Sequence, residues 1–210
     1  MNQFIGTEPT IFLSGLGWVL AAVAAAAMFI LTRQRPDYGL AVLIAALPFY
    51  QVRGTLGIPT TLLEILLLAW LAAVATRWPA YRPARTSYDV WLGIWVTGGL
   101  VAALLGPDLR EGLGLWRAFF FEPALFFFGA AAVVRRHDAR AVLAGAIGLV
   151  TVLAVWTGIR IVSGAEISYD LRLLGPFQSA NFLAMLLVPA VLLVALWPGR
   201  EWRSARIVAF

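Results

Sequence analysis

Residues 11–31 read IFLSGLGWVLAAVAAAAMFIL and contain no charged side chain. A helix needs roughly 20 mostly apolar residues to cross the hydrocarbon core of a bilayer, so this stretch is long enough to span it. It also exceeds the apolar core of a secretory signal peptide, which predicts a retained membrane anchor. The stretch therefore places the chain among integral membrane proteins.

The rest of the chain has a similar composition. Hydrophobic residues make up 61% of the 210 residues, charged residues only 13%, and the mean hydropathy is +0.85. So few charges cannot cover the exterior of a soluble domain of this size. In lipid the backbone must satisfy its own hydrogen bonds, which leaves helices or a closed barrel. The long unbroken apolar runs favour helices, because barrel strands alternate between apolar and polar residues.

Six further apolar runs follow the first. Together they predict an all-α integral membrane protein with about seven transmembrane helices in one domain, residues 1–210. The predicted spans are 11–31, 38–52, 61–78, 88–105, 115–134, 141–162 and 178–197. The second span is the shortest, and residues 206–210 resemble the start of another helix. We therefore expect the chain to be the N-terminal part of a longer protein.

The sixteen basic residues are all arginine, and they lie in short clusters between the apolar runs. The loops after spans one, three, five and seven hold eleven of them, the alternate loops hold only Arg53, Arg110, Arg160 and Arg172, and Arg117 lies inside span five. Because arginine-rich loops remain in the cytoplasm, this asymmetry predicts an extracytoplasmic N-terminus. Clusters at membrane boundaries indicate topology and not a basic groove, so nucleic acid is not an expected partner of this chain of net charge +5.

Glu64, Arg117 and Glu122 are ionisable side chains inside predicted spans, where such groups are costly and thus candidate functional groups. Glu64 follows Thr61 in the pattern of a helix capping box, which favours a structural role. Arg117 and Glu122 lie in span five, just before Pro123. Five residues correspond to about 140° around an α-helix, so these two are not expected to pair with each other. Glu122 then needs a partner from another helix or a wet cavity, and a structural bridge between helices is the alternative.

Metal and cofactor chemistry is not expected. The chain has no cysteine, which excludes disulfides and thiolate ligands. Its one histidine, His137, follows Arg135 and Arg136 in a predicted cytoplasmic loop, where a solvated position is expected. A metal site needs several convergent ligands, which the sequence does not offer.

The predicted outer loop between spans six and seven carries Arg172 against the charge trend. Gly175-Pro176 predicts a turn, Ser179 matches the N-cap of the next helix, and Asn181 falls in its first turn. Free backbone N–H groups at a helix N-terminus and a nearby guanidinium together attract an anion such as phosphate. The alternative is an arginine that extends to the interface beside a capped turn.

The stretch Arg172-x-x-Gly175-x-Phe177-x-x-x-Asn181 resembles the R-x-x-G-x-F-x-x-P-N element of the O-antigen ligase and O-antigen polymerase family. These are bacterial polytopic membrane proteins that act on lipid-linked sugars. Ala180 stands where the family usually has proline. The likeness covers residues 40–197 and includes upstream features that are similar in the family, namely Pro48-Phe49, Thr61-Leu-Leu-Glu64, and Arg117 with Glu122-Pro123.

The resemblance implies a glycosyltransferase-type ligase or polymerase of the bacterial inner membrane. Such a protein transfers a glycan from undecaprenyl diphosphate to lipid A-core or to a growing polysaccharide at the periplasmic face, without nucleotide sugar, cofactor or metal. Arg172 would match the family arginine that engages the donor diphosphate and neutralises charge on the leaving group. Gly175, Asn181, Arg117 and Glu122 are the further candidates for substrate binding. The remaining catalytic elements would lie in a later periplasmic loop of a protein with roughly 12 spans.

Two alternatives come from other functional classes. In a secondary transporter, Arg117, Glu122 and the short second span would line a pathway, although the sequence lacks the internal repeat that such proteins often show. In a non-catalytic membrane scaffold, every buried polar residue would be structural.

Overall fold

The computed structural model describes residues 11–56, 58–77, 80–81, 86–137, 139–164 and 180–196. Helices dominate this part of the chain. They are α1 Gly15–Gln34, α2 Pro36–Ala45, α3 Leu62–Ala75, α4 Asp89–Leu105, α5 Leu109–Trp116, α6 Glu122–Val134, α7 Arg140–Val162 and α8 Ala180–Leu196. A 3₁₀ turn, Leu47–Gln51, follows α2, and a π-helical segment, Arg117–Phe121, joins α5 to α6.

Three of these helices are long and apolar enough to cross a membrane. They are α1 with 20 residues, α7 with 23, and the continuous helix Leu109–Val134 with 26, which comprises α5, the π-segment and α6. The shorter apolar helices of the described residues are Pro36–Ala45, Leu62–Ala75, Asp89–Leu105 and Leu183–Ala195. The predicted helical class is confirmed, and each predicted span overlaps a helix, but within the described ranges three helices reach spanning length.

A small three-stranded sheet was not predicted. Its strands are β1 Ile11–Phe12, β2 Val52–Leu56 and β3 Ile58–Thr61, in the order β1-β2-β3. β2 and β3 pair antiparallel, and β1 pairs parallel to β2. The first helix consequently begins at Gly15 and not at residue 11. The β-branched residues of these strands favour extended structure, but the runs are too short to be recognised beside the long apolar segments.

The described residues at the ends of α1, α3 and α6 contact one another, at the ends of α1 and α3 remote from the sheet. Nη1 of Arg77, just after α3, donates a hydrogen bond to the carbonyl of Arg33 near the end of α1, at 3.1 Å. The hydroxyl of Tyr81 lies 2.7 Å from Nε2 of His137, and the two rings stack. The expectation of a solvated His137 was therefore wrong, since the ring is half-buried against Tyr81. We call this region the basic end.

Glycines allow the helices to approach closely, as small residues do in membrane proteins. Trp70 of α3 is fully buried, and a Cβ placed on Gly129 of α6 would lie 2.5 Å from its ring. Gly145 of α7 faces α2 in the same way, because its Cβ would lie 2.7 Å from Cβ of Ile44 and 2.9 Å from the carbonyl oxygen of Ala41. These contacts hold α2, α3, α6 and α7 together, and the candidate site lies beside this group.

Candidate functional site

The predicted capping box at the start of α3 is confirmed. The backbone N–H of Glu64 donates to Oγ1 of Thr61 at 3.1 Å, and the backbone N–H of Thr61 donates to Oε2 of Glu64 at 3.2 Å. This reciprocal pair satisfies two N–H groups that would otherwise lack partners at the helix start. The cap fixes the Glu64 carboxylate at the junction between the sheet and α3.

Arg117 links the sheet, α3 and α6 through its guanidinium. Nη2 donates to the carbonyl of Pro59 at 2.8 Å and to Oε2 of Glu64 at 3.1 Å. Nε lies 3.2 Å from Oε1 of Glu122, although its N–H is not aligned for a hydrogen bond. The carboxylates are mostly buried, with exposed side-chain fractions of 12% for Glu64 and 15% for Glu122. One guanidinium thus lies between two carboxylates. We call Glu64, Arg117 and Glu122 the charged triad.

The contact between Arg117 and Glu122 corrects the expectation that they would not pair. Their helix is not α-helical at this point, since the backbone N–H of Glu122 bonds to the carbonyl of Arg117, five residues earlier. A π-helical turn brings residues five apart onto one face. Pro123 favours this local change because it has no N–H for the carbonyl one turn before it. The expected partner from another helix is not found among the described residues: Glu122 pairs with Arg117 of its own helix and lines a cavity, and it is Arg117 that reaches Glu64 of α3.

A cavity of about 670 Å³ lies against the charged triad. It is lined by α2, the 3₁₀ turn, the sheet, α3, the π-segment, α6 and α8, and ten of its sixteen lining residues are apolar. The polar lining residues are Tyr50, Gln51, Arg53, Thr61, Glu64 and Glu122. Its volume falls within the usual range of about 300–1,000 Å³ for small-molecule sites. The cavity can receive a molecule with an apolar part and a polar part.

Three polar residues of this lining were not selected from the sequence. Tyr50 and Gln51 belong to the 3₁₀ turn, and Arg53 lies on β2. Arg53 did carry a signal, because it is one of the few arginines that fall in the predicted outer loops. No sequence signal marked Tyr50 and Gln51, because they lie at the end of an apolar run that predicts a span.

The outer-loop element is only partly described. Arg172 and Gly175 lie outside the described residues, as does the predicted N-cap Ser179. Asn181 lies in the first turn of α8 with an exposed side chain. Met185 follows it by four residues, on the same helix face, and lines the cavity. The helix that begins in the family-like element therefore forms part of the cavity wall.

Among the described residues, no group of three or more His, Cys, Asp or Glu side chains is close enough together to hold a metal ion. The chemistry that the described residues offer is hydrogen bonding and charge, supplied by the charged triad and the polar lining beside an apolar chamber. Comparisons with protein-family models, curated proteins and solved structures find no match to this chain.

Proposed function

We propose that the chain belongs to a multi-pass protein of the bacterial inner membrane that transfers a glycan from undecaprenyl diphosphate. The acceptor is lipid A-core or a growing polysaccharide, and the reaction takes place at the periplasmic face. The cavity carries this proposal, because its apolar walls and clustered polar groups suit an amphiphilic, lipid-linked substrate. The resemblance around Arg172 and Asn181 supplies the chemical class.

The proposed topology has about seven spans and an extracytoplasmic N-terminus. Contacts of the described residues support a topology in which successive loops lie on alternate sides of the membrane. Arg77 bonds to Arg33 at the basic end, and β1 pairs with β2 at the other end. The basic end would face the cytoplasm, and the sheet, charged triad and start of α8 would face the periplasm.

In the proposed reaction, an acceptor hydroxyl attacks the anomeric carbon of the donor sugar. The bond between that carbon and the diphosphate oxygen breaks, undecaprenyl diphosphate leaves with the electron pair, and the hydroxyl proton passes to a base. Arg172 would stabilise the negative charge that grows on the diphosphate, which is the role of a fixed cation in such transition states. Gly175 and Asn181 would shape the adjoining turn and helix start around the same anion.

The test is glycan transfer in membranes that contain the protein and a lipid-linked donor. Arg172→Ala is expected to lower the transfer rate by roughly 10²–10³-fold, as loss of a transition-state donor does. Arg172→Lys retains the charge but not the two-pronged geometry, so an intermediate rate is expected. Arg110→Ala is the matched control, since Arg110 is exposed on α5 away from the cavity lining. A normal rate in Arg172→Ala would contradict the proposal.

Secondary transport is a second candidate, favoured by one observation. The continuous helix through Arg117 and Glu122 contains a π-helical segment beside ionisable groups, and both features are frequent at functional sites within membranes. Solute flux into proteoliposomes that depends on Glu122, without glycan transfer, would support this function over the first.

A further inference from the structure

Exposed arginines at the basic end lack carboxylate partners within the described ranges. They are Arg33 in the last turn of α1, Arg77 after α3, and Arg135 and Arg136 after α6. The carboxylate of Asp37, which follows α1 closely along the chain, pairs instead with Arg35 at 3.4 Å. The basic end therefore presents guanidinium groups that can bind an anion from outside the protein.

The ring of Tyr81 brings two of these cations together. The guanidinium carbons of Arg77 and Arg136 lie over it, 5.6 and 5.9 Å from the ring centre, so they are at most the sum of these distances apart. Tyr81 itself is buried, with an exposed fraction of 4%, and its ring also stacks on His137. An aromatic ring attracts a guanidinium that lies within about 6 Å of its centre. This attraction holds both arginines in place before a ligand binds, which lowers the entropy that binding costs.

The two guanidinium groups keep hydrogen-bond donors for a ligand. Contact with a ring uses the face of a guanidinium, whereas its five N–H groups point outward in its plane. Nη1 of Arg77 donates to the carbonyl of Arg33 at 3.1 Å, and the side chain of Arg136 has no hydrogen-bond partner in the described part of the chain. The planar fork of N–H groups matches the oxygens of a phosphate, so a phosphate suits this surface.

The apolar surface next to Arg33 indicates that a lipid carries this phosphate. Arg33 lies in the last turn of α1, a helix long and apolar enough to cross a membrane, so its guanidinium is expected at headgroup depth. Ile30 precedes it by three residues on the same helix face and is 55% exposed. A phospholipid can lay an acyl chain along this face, whereas a free phosphate ion has no apolar part to place there.

We infer that the basic end binds the headgroup of an anionic phospholipid. Arg33, Arg77 and Arg136 contact its phosphate, Tyr81 positions two of these arginines, and an acyl chain lies along α1. A zwitterionic phospholipid binds more weakly, because its own ammonium group offsets the charge of its phosphate. The inference does not rest on the proposed function or on the orientation of the chain, since both faces of a bilayer present headgroups.

The experiment titrates the purified protein in a neutral detergent with phosphatidylglycerol and measures the affinity of the first bound lipid by native mass spectrometry. Phosphatidylcholine with the same acyl chains is the zwitterionic comparison, and glycerol phosphate is the anion without acyl chains. We expect phosphatidylglycerol to bind roughly tenfold more tightly than phosphatidylcholine, because several arginines act on one net charge. Glycerol phosphate at the same concentration is expected not to displace it.

Variants test the arginines separately. Arg77→Gln and Arg136→Gln are each expected to weaken binding of phosphatidylglycerol about fivefold, the usual contribution of one arginine beside an anionic lipid surface. Affinity for phosphatidylcholine should change less. Arg110→Gln is the matched control, since it removes the same charge from an exposed position on α5, outside the basic end. Melting temperatures measured without phosphatidylglycerol establish that the variants are folded.

Three outcomes would overturn the inference. Equal affinities for phosphatidylglycerol and phosphatidylcholine would exclude selection of an anionic headgroup. A loss in Arg110→Gln as large as that in Arg77→Gln would mean that overall charge, and not this surface, governs binding. Displacement by glycerol phosphate would assign the surface to a soluble anion. None of these outcomes depends on glycan transfer, so the proposed function is tested independently.

Discussion

Nε of Arg117 lies 3.2 Å from Oε1 of Glu122, although five residues separate the two along one helix. The π-helical turn between them places both on the same face. π-turns of this kind occur frequently at functional sites. Here the turn directs the Arg117 guanidinium towards the carboxylates of Glu64 and Glu122 at the wall of a cavity. The irregular backbone therefore determines the arrangement of charge.

Arg117→Met is expected to destabilise the protein by about 1.5–3 kcal/mol, the usual value of hydrogen bonds to charged groups. It removes the cation from two mostly buried carboxylates and the donor from the Pro59 carbonyl. Adding Glu64→Gln and Glu122→Gln to this variant should restore part of the loss, because neutral side chains no longer repel each other. Thermal unfolding in nanodiscs measures both effects, with Arg110→Met as the control. Equal melting temperatures for Arg117→Met and the wild type would exclude a structural role for the triad.

Gly145→Ala is expected to destabilise the protein by about 1–3 kcal/mol, because the new methyl group would be forced into Ile44 and the Ala41 carbonyl. Gly158 is a matched control on the same helix, because a methyl group added there would meet no neighbouring atom within 4 Å. Gly158→Ala should be neutral or stabilise by up to about 1 kcal/mol, since alanine has the higher helix propensity. Denaturant unfolding of the two variants compares them directly, and a more stable Gly145→Ala would argue against close contact of α2 and α7.

Tyr81→Phe is expected to cost about 0.5–1.5 kcal/mol, because it removes the hydroxyl that bonds to His137. The stacked rings remain, so the basic end should keep its arrangement. Tyr88→Phe provides the control, since Tyr88 is 65% exposed. Tyr81→Phe should therefore melt at a lower temperature than Tyr88→Phe. If both variants melt with the wild type, the contact between Tyr81 and His137 adds nothing to stability.

Single cysteines test the orientation, because the chain has no cysteine of its own. Thr55→Cys on β2 should react with a membrane-impermeant maleimide in intact spheroplasts. Arg136→Cys at the basic end should react only after the membrane is permeabilised. Both positions are exposed, so access to the reagent depends on the side of the membrane. The reverse labelling pattern would mean that the basic end faces outward.

Much of the architecture follows from local features of the sequence. Apolar runs predict where helices form, because a long uncharged segment can satisfy its backbone only internally when it lies in lipid. The Thr61–Glu64 cap could be predicted because both partners lie within one turn. The pairing of β1 could not be predicted, since its partners lie some forty positions later, Val52 opposite Ile11 and Arg53 opposite Phe12.

The membrane-like character of the first apolar stretch, the helical class and the cap at Glu64 were determined by the sequence itself, because composition and short spacings set them. The arrangement of the candidate site was decided by tertiary structure. Arg117 meets Glu64 from a different helix and Glu122 through a π-turn, and the turn at Tyr50–Gln51 completes the same cavity wall. Contacts of this kind depend on how helices pack and on where a helix departs from 3.6 residues per turn, which no local pattern specifies.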